Sequence, residues 1–565
     1  MTDDEKDEQF YRDTESVAHA KLDDRQLAML EPLGTRRVVR RGELIYKAGQ
    51  RDLPLTVVLR GEVEVFEPRD EQEQILAIAG ERAFSGDVGM LMGTAALASA
   101  RGKAAESEIL QVPAERLRQA LAELPGVSEL IVRAFIMRRR RLERDKEFAG
   151  LRIVTRDGSR EGHQLDDFLD KNHIPHRLIA SETDDGRALC DRLHLSSGDL
   201  PALITANGMP LRRPSLREVA RVAGLLRTPA GEDESEVFCD LAIVGAGPAG
   251  LAAAVYAASE GLKTIVLESY APGGQAGSSS LIENFFGFPT GISGGELTHS
   301  AQLQAYRFGA KFSMPSQALT LALTEGEYRA RLQAEGCNAI LCAKSVIIAT
   351  GADYRRLDAS GREDFEGSGV YYAATARESR ICRGSTVIVA GGGNAAGQAA
   401  MFLSESTAKV LLIIRGDGLA KSMSSYLSRR VEGKPNIEIL PHTEIRKMMG
   451  GKVLEAVELE NTQTRERRTV QTGAVFSMIG AKPCTDWLPA EIERDEKGFI
   501  KTGQAVANAP AWKGASRTPG PLETSRPGIF AAGDVRSGSV KRCAAAVGEG
   551  GTAVEGVHEV LRTYG

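Results

Sequence analysis

The stretch DLAIVGAGPAGLAAAVYAASEGLKTIVLES, residues 240–269, restricts the fold of this chain more than any other feature. An apolar strand runs directly into Gly245, Gly247 and Gly250, spaced GxGxxG, and then into an alanine-rich helix. The first glycine permits a tight turn, the second lets a pyrophosphate approach the backbone, and the third lets helix pack closely on strand. The unpaired N–H groups and positive end of that helix favour an anion. Glu268 ends the next strand, where an acid accepts a hydrogen bond from a ribose hydroxyl.

A second unit, TVIVAGGGNAAGQAAMFLS, starts at Thr386. Gly391, Gly393 and Ala396 make GxGxxA, with Asn394 inside the turn. The following strand, KVLLII, ends without an acid and meets Arg415, with Lys421 nearby. A cation there accommodates a 2'-phosphate, which favours NADPH over NADH. A merely solvated loop is the competing account, and Asp417 stands close enough to reorganise it. The repeat of the motif implies two separate Rossmann domains.

A chain of 565 residues exceeds one hydrophobic core, so several domains are expected. The net charge of -5, with both signs mixed along the chain, gives no argument for nucleic acid. No apolar run reaches the roughly 18 to 20 residues of a membrane span and the start, MTDDEKDEQF, is acidic, so a cytoplasmic protein without a membrane span is expected. Seven scattered cysteines include no CxxC and no metal-ligand spacing, which argues against a disulfide scaffold and a metal site.

Ahead of the first glycine turn the pattern changes twice. Residues 1–21 are polar and are expected to form a disordered tail. From Leu22 to Glu147, short alternating segments punctuated by Gly42, Gly49, Gly61 and Gly80 read as a β-roll, followed by helices in AERLRQALAEL and SELIVRAFIMRRRRLERD. The arginine run from Arg138 reads as a charged helix face, compensated by Glu143, Asp145 and Glu147 and docked on a neighbouring domain. Residues 150–227 alternate strand and helix (LRIVT, LDDFLDKNH, HRLIA, PALITANG, SLREVARVAGLL) as a small α/β module. Residues 228–237 read as a linker.

Near the C-terminus PGIFAAGDVRSGSVKRCAAAVGEGG resembles the second FAD-binding motif of the low-molecular-weight thioredoxin reductases. The resemblance extends to GGQ (Gly273–Gln275), IENFFGFP with Asn284, and SVIIATGADYRRL with Gly351, and it covers about residues 238–565. It implies an FAD domain of residues 238–354 and 482–565, an NAD(P)H domain of 355–481, FAD and NADPH as cofactors, and a homodimer. By the same resemblance Gly274, Gln275 and Asn284 belong to the FAD loop, Gly533 and Asp534 meet the ribityl chain, and Arg542 and Cys543 place backbone near the flavin. Where that family carries its catalytic CATC, this chain reads YYAATARE, with Ala373 and Ala376 at the cysteine positions. An alanine methyl cannot take part in thiol–disulfide exchange, so no catalytic residue is assigned there.

Residues 22–147 resemble a cyclic-nucleotide-binding domain. Its phosphate cassette is degenerate: Gly86 is followed by Asp87 and the arginine position holds Ala98, so cyclic nucleotide binding is doubtful unless Arg101 or Lys103 substitutes. Residues 150–227 resemble a glutaredoxin or thioredoxin-like module with Pro201 at the cis-proline place, but RDGSREGHQ stands where the redox CxxC belongs, and His163 reads as an exposed loop residue. The fold class expected is therefore a multidomain chain: a β-roll with helices, a thioredoxin-like α/β module, and two Rossmann-like domains for FAD and NAD(P)H. The function expected is an FAD-dependent NAD(P)H oxidoreductase passing electrons to an unidentified protein or small-molecule acceptor. The alternatives are a flavin/NADPH redox sensor or scaffold acting through the N-terminal modules, and a thioredoxin-disulfide reductase using Cys543 or partner thiols.

Overall fold

The computed structural model describes residues 3–564 apart from 69–72, 146–147, 149, 227–234, 280–281, 283, 336–338, 366–368, 373, 375–378, 380–381, 421, 452 and 514. The β-roll forms from two antiparallel sheets, Thr35–Arg40 with Glu106–Val112 and Leu55–Arg60, and Leu44–Tyr46 with Ser99–Gly102, Val63–Glu67 and Gln74–Ala79. The helices Ala114–Glu123 and Pro125–Arg144 follow, the second opened by a proline whose missing N–H costs nothing at that position.

The tail expected to be disordered is instead a helix, Asp3–Ala18, packed on Pro125–Arg144. Its polarity is matched by the arginine run: Arg141 donates to Tyr11 O (3.0 Å) and pairs with Glu15 (2.7 Å), and Arg144 lies over the Phe10 ring. Local composition cannot reveal partners that lie over 120 residues away.

In the α/β module the strand order is Pro210–Arg212, Ala202–Ile204, Leu151–Thr155, His176–Ala180, with the last two parallel and the others antiparallel. Pro201 follows a cis peptide bond at the head of Ala202–Ile204. Helices Arg160–Lys171, Asp184–Arg192 and Leu216–Ala223 complete it, the last started by a Ser215–Glu218 capping box. His163 is exposed as expected, but on the helix Arg160–Lys171 and not in a loop, because Ser159 caps a helix start just ahead of it.

The first nucleotide domain has parallel strands Lys311–Ser313, Thr264–Leu267, Glu236–Val244, Ile340–Ile348 and Ile529–Ala531, with Ala330–Ala334 and Ala318–Leu323 added antiparallel. Glu236 and Val237, expected in a linker, already pair with Ile340 and Leu341; residues 228–234 of that linker lie outside the described residues. The second domain has five parallel strands in the order Val370–Tyr371, Val475–Ser477, Thr386–Ala390, Lys409–Ile413, Ile437–Leu440, and a three-stranded antiparallel sheet of Thr443–Gly450, Leu454–Asn461 and Arg467–Gln471. The central strands are buried on both faces, which is why they read as unbroken apolar runs. The chain passes between the two domains at Ala352–Tyr354 and Ala481–Pro483, which pair side by side.

The β-roll, the α/β module and one face of the first nucleotide domain share a continuous apolar core. Tyr270 donates to Asp167 (2.8 Å) and meets Phe168 edge-on, and the His173 and His299 rings lie 3.7 Å apart. These joints fix the α/β module, through helix Arg160–Lys171 and His173, against Tyr270 and helix Gly294–Arg307 of the first nucleotide domain.

Candidate dinucleotide sites

Each glycine turn sits at the C-terminal end of parallel strands, where open α/β sheets bind their ligands. Gly245 has φ +101°, and a side chain there would collide with the Ala349 carbonyl; one at Gly250 would collide with Gly245 O. Gly247 differs, because a Cβ there would meet nothing nearer than the Gly274 Cα at 4.0 Å. Two positions are therefore glycine for packing, and the middle one keeps a space open at the start of helix Pro248–Ser259. Across that space lies Gly274, whose own Cβ would sit 3.1 Å from Gly247 Cα.

Glu268 is 8 % exposed and accepts from Ala246 N (2.8 Å) and Tyr270 N (2.9 Å). Burial pushes its carboxyl above the usual range, against the lowering by those N–H groups. The strand ends at Gly351 and Gly533 lie beside this turn, since Ile340–Ile348 pairs with both Glu236–Val244 and Ile529–Ala531. A Cβ at Gly533 would lie 3.0 Å from Ala249 Cβ, and Gly533 N donates to Glu549 Oε2 (2.7 Å). Asp534 follows, its carboxyl raised by burial, and Arg542 and Cys543 open helix Cys543–Tyr564. Gln275 donates to Ala352 O in the crossover, while Asn284 is exposed in a turn beside Phe286, which is 93 % exposed. The open cradle at Gly247, the buried acid one strand over and the helix end at Cys543 fit a flavin dinucleotide.

In the second turn Gly391 would collide through a Cβ with Met478 O, and Gly393 is again the open one, with Ser422 O at 3.8 Å. The alanine of GxGxxA is fully buried, and the tight helix contact falls one residue later: a Cβ at Gly397 would be 2.7 Å from Met423 and Leu427. That role of Gly397 is invisible in the motif. Asn394 Oδ1 accepts from Ser424 N (2.8 Å) and so shapes the loop. Arg415 is exposed at the strand end, Lys421 lies outside the described residues, and Asp417 lies 3.2 Å from His442.

Tyr371 pairs along Val475–Ser477 and stacks on Phe476; Ala373 and Ala376 lie outside the described residues. Five thiols elsewhere are held above the usual thiol range. Burial first, then Asp534, pushes Cys543 up to about 11; burial, then Asp353, takes Cys484 to about 12; burial takes Cys239 to about 12 and raises Cys190 and Cys342. Cys337 lies outside the described residues.

The β-roll cassette is engaged from within. Asp87 accepts twice from Arg139 (2.9 and 2.5 Å), whose side chain is 2 % exposed, and Arg138 donates to Gly86 O (2.8 Å) and covers the Phe84 ring. The arginine run is thus partly buried, and its ion pairs reach Asp87, Glu15 and Glu296; of the acids that follow it, Glu143 feels the charge of Arg139 and Arg140, and Glu147 lies outside the described residues. Arg101 and Lys103, the proposed substitutes for the missing cassette cation, are spent on Glu64 and Glu73, and on Glu62.

Two dinucleotide folds joined by paired crossovers define a two-cofactor flavoprotein. Residues 239–550 match the family described as pyridine nucleotide-disulphide oxidoreductase, and residues 36–123 match the cyclic nucleotide-binding domain. The chain belongs to the pyridine nucleotide-disulphide oxidoreductases, as a thioredoxin reductase-like enzyme with an N-terminal cyclic nucleotide-binding domain. It is an FAD-dependent oxidoreductase with FAD and NADPH as cofactors. It is 35% identical to the thioredoxin reductase of Treponema pallidum over 58% of this chain and 99% of that protein, and 34% identical to that of Schizosaccharomyces pombe over 54% and 92%. The crystal structure of Lactococcus lactis thioredoxin reductase superposes with a TM-score of 0.51 at 28% identity, covering 57% of this chain and 99% of that one. No helix among the described residues is long and apolar enough to cross a membrane.

Proposed function

We propose that this enzyme passes electrons from NADPH through FAD directly to an acceptor outside the chain, with no internal dithiol between them. The observation that carries this is alanine at 373 and 376, together with burial that raises Cys543 and the other perturbed thiols. FAD, when bound, accepts a hydride and donates electrons onward. Gly245, Gly247, Gly250 and Gly274 leave room for its pyrophosphate, Glu268 orients the ribose, and the head of helix Cys543–Tyr564 brings a positive end to the flavin side. Arg415 and Lys421 take the 2'-phosphate of NADPH. The α/β module, whose strand order and Pro201 suit a glutaredoxin-like fold, docks and does no thiol chemistry of its own. The protein works as a cytoplasmic homodimer, and its acceptor is an electron-carrier protein, a quinone or a small oxidant.

A second reading, a flavin-state sensor signalling through the N-terminal modules, draws on the shared core that joins the flavin domain to the β-roll. An anaerobic screen separates them. Turnover of NADPH with ferredoxin, quinone or oxygen, and little with thioredoxin plus a disulfide reagent, is expected; thioredoxin as the best acceptor overturns the reading. Flavin reduction without turnover on any acceptor favours the sensor.

A further inference from the structure

We propose that the junction between the β-roll and the α/β module is a binding site for a small oxyanion, a phosphate or carboxylate group on a compact body. A cavity of about 220 Å³ lies there, separate from both dinucleotide turns. It is walled on one side by Arg51, Thr94 and Arg139 of the β-roll and on the other by Thr205, Asn207 and Arg221 of the module. No acidic residue is among its walls.

The donors are the observation that points to a ligand. The Thr94 hydroxyl has no hydrogen-bond partner, and the residue is only 6 % exposed. An unpaired buried hydroxyl is costly, which is why such groups are nearly always satisfied. Close by, Arg139 uses three N–H groups on Asp87 and His173 O, out of the five a guanidinium carries. Thr205 donates to the Asn207 side-chain oxygen, which leaves the Asn207 amide N–H groups as donors. Arg51 reaches across the junction to the Arg221 carbonyl, and both residues, from different modules, line the cavity.

Three of the last four carbonyls of helix Leu216–Ala223, whose negative end faces this junction, already hold donors. Ala220 O accepts from Gly224 and Leu225, Arg221 O from Arg51, and Ala223 O from Ala95 N. Size restricts the ligand further. The cavity is smaller than the roughly 300–1,000 Å³ of ordinary organic-ligand pockets, which excludes a dinucleotide. It is also not the interior of the β-roll, where Arg138, Phe84 and the Asp87–Arg139 pair fill the cassette.

The test is titration calorimetry on the full flavin-loaded chain with inorganic phosphate, with malonate and with cAMP, on the native protein and on Arg51→Gln, Arg221→Gln and Thr94→Val. Saturable binding of phosphate or malonate is expected, weakened tenfold or more in each arginine variant, with flavin content and circular dichroism unchanged. Phosphate binding alone identifies a phosphoryl ligand, malonate alone a carboxylate, and both a general oxyanion site. Absence of binding by either anion, binding unaffected in both arginine variants, or binding of cAMP alone overturns the proposal.

Discussion

Arg139 is a buried side chain that ties the β-roll to the α/β module, and replacing it by Met tests that tie directly. Methionine keeps most of the stem and removes the charge. It leaves Asp87 without its two guanidinium bonds and His173 O without its donor. Removing one partner of a fully buried pair costs about 3–5 kcal/mol. Asp87 is 23 % exposed and still accepts from Gly89 N, so the reckoning here is about 2–3 kcal/mol. A chain of this size does not unfold in two states, so a single melting point is the wrong readout. Hydrogen exchange resolved by peptide is the right one: openings of residues 86–93 and 172–176 become about 30- to 150-fold more frequent. Asp87→Leu combined with Arg139→Met removes the orphaned carboxylate and recovers much of that loss. Unchanged exchange in Arg139→Met, or a double variant as exposed as the sum of the singles, refutes the tie.

Glu268→Ala strands the Ala246 and Tyr270 N–H groups, at about 1–3 kcal/mol each, and the variant purifies with a lower ratio of flavin to protein absorbance. Cys543 stays a neutral thiol below about pH 11, so iodoacetamide labels it slowly at pH 8, and Cys543→Ser leaves acceptor turnover within twofold of native. Burial holds His173 down to about 4 and His299 lower than usual as well, Arg139 adding to both. Both bind protons more readily when the junction opens, so its stability is full above about pH 6.5 and falls as pH drops toward 4. Exchange in residues 294–307 rises about tenfold beyond the intrinsic rate change between pH 7 and 5.

The nucleotide halves were legible because their signals are local: glycines that cannot carry a Cβ, and strands apolar on both faces. Gly245, Gly250 and Gly391 stand where backbone would collide, as the spacing implies. What the sequence hid was long-range pairing. The helix Asp3–Ala18 looks like a solvated tail until Arg141 and Arg144 supply its partners. Arg139 looked like one more surface charge, and only the fold brings Asp87 and His173 to it. Gly397 was missed because the motif ends one residue before the contact that matters.

The central claim is that electrons leave the flavin without visiting an internal disulfide, and a reductive titration decides it. Under anaerobic conditions, with a trap regenerating no oxidant, NADPH is added to the oxidised chain while the flavin band near 450 nm is followed. The account predicts complete bleaching at about one equivalent per flavin, with no thiol gained by reagent assay. Bleaching delayed to about two equivalents, with two new thiols, contradicts it.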